Sequence, residues 1–190
     1  LFPYTTLFRS HPEYFSLRHG QRVGGQFKGQ LCLSNPALRE KFLAVVLDQL
    51  RQHPDPKFIS ISQNDNDNFC ECPDCQKIDQ AGGTPSASIL TFVNGIAETV
   101  EKEFPGVLVQ TFAYQYSRTP PAGIRPRANV SMLLCAIEAD FSKPLTDPAS
   151  PINAAFLRDL EAWSAISNRI DLWYYIANFN NFLLPHPNLD

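Results

Sequence analysis

Long apolar runs are missing from this chain. No stretch of its 190 residues approaches the ~18 consecutive apolar residues of a membrane-crossing helix, so no membrane partner is expected. Positive charge is not in excess either. A net charge of −3 and a pI of about 5.8 leave no basic footprint, which excludes nucleic acid as the expected partner. There is no Gly-x-Gly-x-x-Gly and no phosphate-binding loop, so nucleotide binding lacks its usual signal. The four histidines, His11, His19, His53 and His186, are scattered, and no Ser-His-Asp arrangement is readable. The cysteines number five, and an odd set with three clustered is not a disulfide framework.

What is present describes one globular unit. Hydrophobic residues at 44% and charged residues at 18% suit a domain with its own core rather than a disordered chain. The first ten residues, Leu1 to Ser10, resemble the in-frame translation of a sequencing adapter. They are set aside as a non-native leader, leaving 11–190 as the domain. The expectation is a fragment of a longer protein, continuing beyond both ends.

Helical spacing of Leu38, Phe42, Val45, Val46 and Leu50 predicts an amphipathic helix over 35–53, with Ser34 as N-cap, Pro36 in the first turn and His53 at its C-cap. Ile89, Val93, Ile96 and Val100 mark a second helix, opened by Thr84-Pro85 and closed by Pro105-Gly106. Phe156, Leu160, Trp163 and Ile166 mark a third, with Trp163 in the core. Short apolar runs predict strands at 30–33, 57–62, 107–113, 130–137 and 170–176. Residues 11–29 read as a loop, and the proline-rich segment 118–129 contains no helix. The alternation of strand and helix gives an α/β fold. Continuous apolar strands predict a parallel sheet buried on both faces.

Polar and aromatic residues recur just past the strand ends: Gln63 to Asp67, Tyr114 to Tyr116, Glu138 to Asp140, and Asn178 to Asn181. In a (β/α)8 barrel of the TIM type those ends meet at one mouth, where active sites lie. A partial barrel, truncated at both ends, is therefore the expected architecture. A doubly wound open sheet would also gather strand ends on one edge. Gln63, Asn64, Tyr114, Tyr116, Asp140, Trp173, Tyr175, Asn178 and Asn181 are the candidate ligand-binding residues, with Asn180 and Tyr174 beside them. Successive residues of Trp173-Tyr-Tyr-Ile176 point to opposite sides, so half of such aromatics belong to packing.

Cys70, Cys72 and Cys75 form a compact triple-thiol loop suited to zinc, which takes four ligands in structural sites. Cys32, Cys135 or a residue outside the chain would supply the fourth. The plainer reading is reduced structural cysteines, or one disulfide and one free thiol. No neighbouring histidine offers a mixed site, so any metal would be structural, and no cofactor is required.

Several segments together carry a resemblance: His11-Pro-Glu-Tyr-Phe15, Leu31-Cys-Leu-Ser-Asn-Pro36, Ile61-Ser-Gln-Asn-Asp65 with Cys70-Glu-Cys-Pro-Asp-Cys75, Tyr114-Gln-Tyr116, Ile137-Glu-Ala-Asp-Phe141 and Phe182-Leu-Leu-Pro185. They resemble the bacterial family called domain of unknown function 4838, described as glycoside-hydrolase-like, across residues 11–190. A more distant likeness is to β-N-acetylhexosaminidases and α-glucuronidases. On the hexosaminidase strand that ends in Asp-Glu, this chain carries Asn64 and Asp65, so both positions depart from that pattern.

The resemblance implies a poly- or oligosaccharide substrate and two carboxyl groups across the scissile bond. Asp65 is then the candidate acid and Glu138 the candidate base or stabiliser, with Asp140 and Asp67 in reserve. Asp65 in a turn-capping role is the competing reading. Two rival functions stand beside glycoside hydrolysis: a non-catalytic carbohydrate-binding barrel, and a zinc-dependent hydrolase using the thiol loop. Secretion or a periplasmic location for the full-length protein is expected from the substrate class alone.

Overall fold

The structure is a computed structural model, and it describes residues 9–25 and 28–175. Asn178, Asn180, Asn181 and His186 lie outside the described residues, as do residues 1–8 of the expected leader. A short antiparallel hairpin, β1 (Ser16–Arg18) and β2 (Gln21–Val23), comes first. Helix α1 (Pro36–Gln52) follows, then β3 (Phe58–Ser60), α2 (Pro73–Gly82), α3 (Ser86–Glu103), β4 (Leu108–Ala113), β5 (Val130–Cys135), α4 (Pro151–Ser164) and β6 (Ile170–Trp173). Strands β3 to β6 form one parallel sheet in sequential order. The chain therefore has an α/β fold in which a four-stranded parallel sheet alternates with helices.

Local chemistry sets the helix ends. The N-cap of α1 is Asn35 rather than Ser34: its side-chain oxygen accepts the Leu38 N–H at 3.0 Å, with Pro36 in the first turn. Ser34 is drawn instead to the cysteines. His53 is the C-cap of α1, as its place before Pro54 suggested. Helix α3 takes its cap from a neighbour, since Asp79 of α2 accepts the Ser88 N–H at 2.9 Å. It ends where Gly106 turns the chain at φ 94°, a left-handed conformation that favours glycine.

The main core cluster lies between helices and sheet, and a smaller one gathers Tyr14, Phe15, Leu31 and Leu38. Phe92, Val93, Ile96, Ala97 and Val100 of α3 pack on Val109, Val130, Met132 and Leu134, with α1 outside through Val46, Leu47 and Leu50. Phe42 meets Phe92 edge to face with centroids 5.3 Å apart. Phe156 and Trp163 of α4 complete the cluster. The connection from β4 to β5 crosses without an α-helix by lying along α3. Asn94 Nδ2 donates to the Arg125 carbonyl (2.8 Å), Asn129 Nδ2 to the Ala97 carbonyl (2.9 Å) and Ser86 Oγ to the Thr119 carbonyl (2.6 Å). These bonds satisfy backbone groups that a crossover helix would have paired internally.

Burial on both sheet faces holds for β5, where Ser131 and Cys135 are buried as well as Met132 and Leu134, and fails along β4. Along β4, Val109, Thr111 and Ala113 are buried while Leu108, Gln110 and Phe112 are only partly covered. The registers place Gln110 beside Ser131 and Phe112 beside Leu133, and Leu133 beside Asp171 and Cys135 beside Trp173. Among the described residues helices cover the first face only. On the second, Phe58 is 62% exposed and Trp173 48%. Polar residues alternate within the apolar runs, which is the period of a strand with two unlike faces.

Three further expectations are corrected. The segment 11–29 contains the β1–β2 hairpin, which hydrophobic patterning does not mark because each strand carries a single apolar residue, Leu17 and Val23. The segment 30–33 makes only an isolated bridge, Phe15 with Leu31. Helix α2 was not anticipated, because only Cys75 and Gly82 along it are buried and it shows no apolar stripe.

Candidate functional site

A cleft opens at the C-terminal ends of the four parallel strands. Gln63 and Asp65 after β3, Phe112 and Tyr114 at the end of β4, Cys135 closing β5, and Trp173 and Tyr175 on and after β6 line it. Alternation along each strand explains the membership. Phe112 and Tyr114 share one side, and Trp173 and Tyr175 share one side, while Tyr174 turns back to the core. Phe112 and Trp173 meet at right angles with centroids 6.0 Å apart.

Asp65 is exposed at the cleft and held by two donors. Tyr114 Oη donates to Asp65 Oδ1 at 3.0 Å, and Gln115 Nε2 donates to the same oxygen at 3.2 Å. Burial, and then the bond to the Asp65 carboxylate, push the Tyr114 hydroxyl up to about 12. Gln115 adopts φ 50°, left-handed backbone uncommon for a residue with a side chain, and its amide also donates to Tyr114 Oη at 3.1 Å. Such local backbone strain gathers at functional sites. Gln63 braces this group: its amide donates to the Tyr114 carbonyl at 3.1 Å, and its side-chain oxygen accepts the Ser117 hydroxyl.

Glu138, after β5, is not among the residues that line the cleft and belongs to a different network. Its carboxylate pairs with Arg118 Nη1 at 3.2 Å, and Arg118 Nε donates to the buried Asp159 at 2.7 Å. Its field nevertheless reaches the cleft. Burial raises the Cys135 thiol to about 11 with help from Glu138, and burial raises the Tyr175 hydroxyl with help from Cys135, Asp65 and Glu138.

The remaining candidates divide. Tyr116 packs against Phe69 with centroids 5.2 Å apart, among the core residues rather than in the cleft. Asn64 turns toward the N-terminal segment, its amide donating to the Gly29 carbonyl and its N–H to Gln30 Oε1 at 2.9 Å. Asp140 sits in the turn after β5, where the Ser142 hydroxyl and N–H hold its carboxyl below the usual range. Asp67 is exposed on the loop. Phe112, Gln115 and Cys135 were not singled out for the cleft. The strand period alone would have found Phe112, two residues before Tyr114.

A second centre lies at the far end of the same loop. Cys70, Cys72 and Cys75 are joined by Cys32, and the four sulfurs all lie within 4.8 Å of one another. All four residues are buried and none forms a disulfide. Cys135, the other candidate for fourth ligand, is at the cleft instead. Cys72 caps the N-terminus of α2 and Cys75 lies in its first turn, so the expected thiol loop is in part a helix start. Cys32 and Cys72 sulfurs are 3.5 Å apart, and Ser34 Oγ lies 3.1 Å from Cys75 Sγ. Hydrogen bonds from Cys70 and Cys75 draw the Cys32 thiol down; their bond to Cys32 pushes the Cys70 thiol up to about 12 and the Cys75 thiol up as well. Four buried sulfurs at this separation could hold a structural zinc ion. Among the described residues no helix is long and apolar enough to cross a membrane.

A search among curated proteins finds no match. The family described as Domain of unknown function (DUF4838) matches residues 1–190, and the chain belongs to that family.

Proposed function

We propose that residues 11–190 are part of a (β/α)8 barrel of the glycoside-hydrolase type, and that the cleft takes a poly- or oligosaccharide. One observation carries the reading: the ends of four consecutive parallel strands contribute a carboxylate, an amide, a thiol and aromatic rings to a single cleft. Sequential strand order and a second sheet face bearing Gln110, Phe112, Ser131, Leu133, Asp171 and Trp173 also fit a barrel interior, whose inward residues come from alternate positions.

In this reading Trp173 and Tyr175 offer rings to a sugar face, and Gln63, bound to the Tyr114 carbonyl and the Ser117 hydroxyl, holds Tyr114 in place beside them. Asp65, held by Tyr114 and Gln115, is the proton donor to the leaving oxygen. Glu138 is the second carboxylate, acting as base or as stabiliser of the oxocarbenium ion. The Asn64 amide is committed to the Gly29 carbonyl, which argues against a hexosaminidase-like grip on an acetamido group. A zinc-dependent hydrolase fits poorly, since four thiolates fill the tetrahedron and leave no position for water. Metal in the cysteine centre is structural. A secreted or periplasmic location accompanies a polysaccharide substrate.

The binding-only alternative draws on one observation, the Arg118 grip that ties Glu138 to Asp159. Incubating the full-length protein with cello-, xylo- and chito-oligosaccharides, and reading products by mass spectrometry, separates the two. Cleavage abolished by Asp65→Asn and by Glu138→Gln is the expected result. Binding without cleavage would put the alternative first, and neither binding nor cleavage of any glycan would contradict both.

A further inference from the structure

We infer that Cys32, Cys70, Cys72 and Cys75 bind one zinc ion as a tetrathiolate, and that this ion clamps the N-terminal segment onto the loop that carries Asp65. The inference rests on the cysteine geometry and does not depend on what the cleft binds.

The sulfur positions suit one ion. A tetrahedral zinc with bonds of about 2.3 Å sets its sulfurs about 3.8 Å apart. The four sulfurs here lie within 4.8 Å of one another, with Cys32 and Cys72 at 3.5 Å. That is compact enough for a single ion. The ligands come from two distant parts of the chain, one from the segment after the hairpin and three from the start of α2. Their surroundings supply what a thiolate centre of net negative charge needs. The Leu17 N–H donates to Cys70 Sγ at 3.4 Å, the Ser34 hydroxyl lies beside Cys72 and Cys75, and the positive charge of Arg22 acts on Cys32, Cys70 and Cys72. Such outer partners fix ligand orientation and offset charge. Binding moves the thiol protons to solvent and leaves four zinc–sulfur bonds, with no change of oxidation state.

The clamp follows from what Cys32 is tied to. Gln30, two residues earlier and 5% exposed, donates from its amide to the carbonyls of Asn64 and Asn66, both at 2.8 Å. Its own carbonyl accepts the Ser16 N–H at 2.9 Å. The hairpin reaches the cysteine loop separately: Glu71 N–H donates to the Leu17 carbonyl at 2.8 Å, and Arg18 pairs with the Glu71 carboxylate at 2.6 Å. An ion that fixes Cys32 against Cys70 to Cys75 therefore fixes Gln30, and with it the residues on either side of Asp65. Gln30 is a positioning residue in this scheme.

The test uses the full-length protein purified without chelator. Elemental analysis is expected to find zinc that Cys32→Ser removes and Cys135→Ser leaves in place. Cobalt exchanged into the site should give the ligand-field bands of a tetrahedral thiolate centre. Cys32→Ser should abolish the sulfur-to-cobalt charge-transfer bands, because the three remaining thiolates no longer retain the ion, while Cys135→Ser leaves them unchanged. Hydrogen exchange in the metal-free protein should quicken in peptides over 28–32 and 62–68 while α3 stays protected. No metal and no cobalt spectrum, disulfides in place of free thiols, or an unchanged spectrum in Cys32→Ser would each overturn the site. Metal binding with unchanged exchange at 62–68 would overturn the clamp.

Discussion

Trp163, on helix α4, and Trp173, on β6, lie on opposite faces of the same sheet. Trp163 is wholly buried under the helix-covered face at 0% exposure, and its indole N–H donates to the Arg118 carbonyl at 2.6 Å. Trp173 stands on the open face at 48% exposure, with one edge against Phe112. The cysteines divide the same way: four are gathered in a closed corner, and Cys135 lines the cleft. Residue type alone therefore says little about role in this molecule. A large aromatic with its polar atom satisfied and its surface covered contributes stability. The same aromatic left half in solvent has surface that the packing does not use, and the proposed saccharide would cover it.

Substitutions made in matched pairs sharpen that contrast. The largest effect belongs to Cys32→Ser, expected to cost upwards of about 4 kcal/mol as a structural metal is lost. Cys135→Ser should cost about 1 kcal/mol. Denaturant unfolding of the two variants checks the pair, and equal losses would break the contrast. Trp163→Ala comes next at about 3–5 kcal/mol, for the cavity it leaves in the core and the carbonyl it orphans. Trp173→Ala should cost less than about 1 kcal/mol in stability and weaken saccharide binding instead, read by calorimetry.

The smallest effect is a pH dependence on the covered side. Burial pushes the Asp79 carboxyl up to about 6, against the hydrogen bond it accepts from Ser88. The folded state then holds its proton in a range where the unfolded state has released it. The Asp79 contribution to stability is therefore present in acid and lost as pH rises through about 6. Discounted for its partial exposure, the amount is about 1 kcal/mol. Asp79→Asn keeps an acceptor for Ser88 and should flatten stability between about pH 4 and pH 6 in thermal melts.

The parts of the fold legible in the sequence were those with a strong period. Helices α1, α3 and α4 bury stripes three and four residues apart, and the centres of β3 to β6 coincide with apolar runs. Helix α2 was hidden because its anchoring comes from two cysteines, not from an apolar stripe. Two buried faces hold for β5 and not for β4, because Gln110 and Asp171 interrupt the runs one residue at a time and align with Ser131 only through the register between strands. The strand ends did identify Gln63, Asp65, Tyr114, Trp173 and Tyr175 as neighbours. Long-range partners were beyond local pattern. Spacing cannot tell that Cys32 joins Cys70, that Arg118 takes Glu138, or that Asn64 faces Gly29 rather than the cleft.

The most direct test of the open face as a ligand surface follows both tryptophans at once. The full-length protein is labelled with fluorotryptophan, and the resonances lost in Trp173→Phe and in Trp163→Phe assign the two probes. Fluorine NMR is then recorded while xylo- or cello-oligosaccharide is added. The account predicts that the Trp173 resonance shifts and saturates while the Trp163 resonance stays where it was. A Trp173 resonance that does not move, with an oligosaccharide shown by calorimetry to bind, would contradict it.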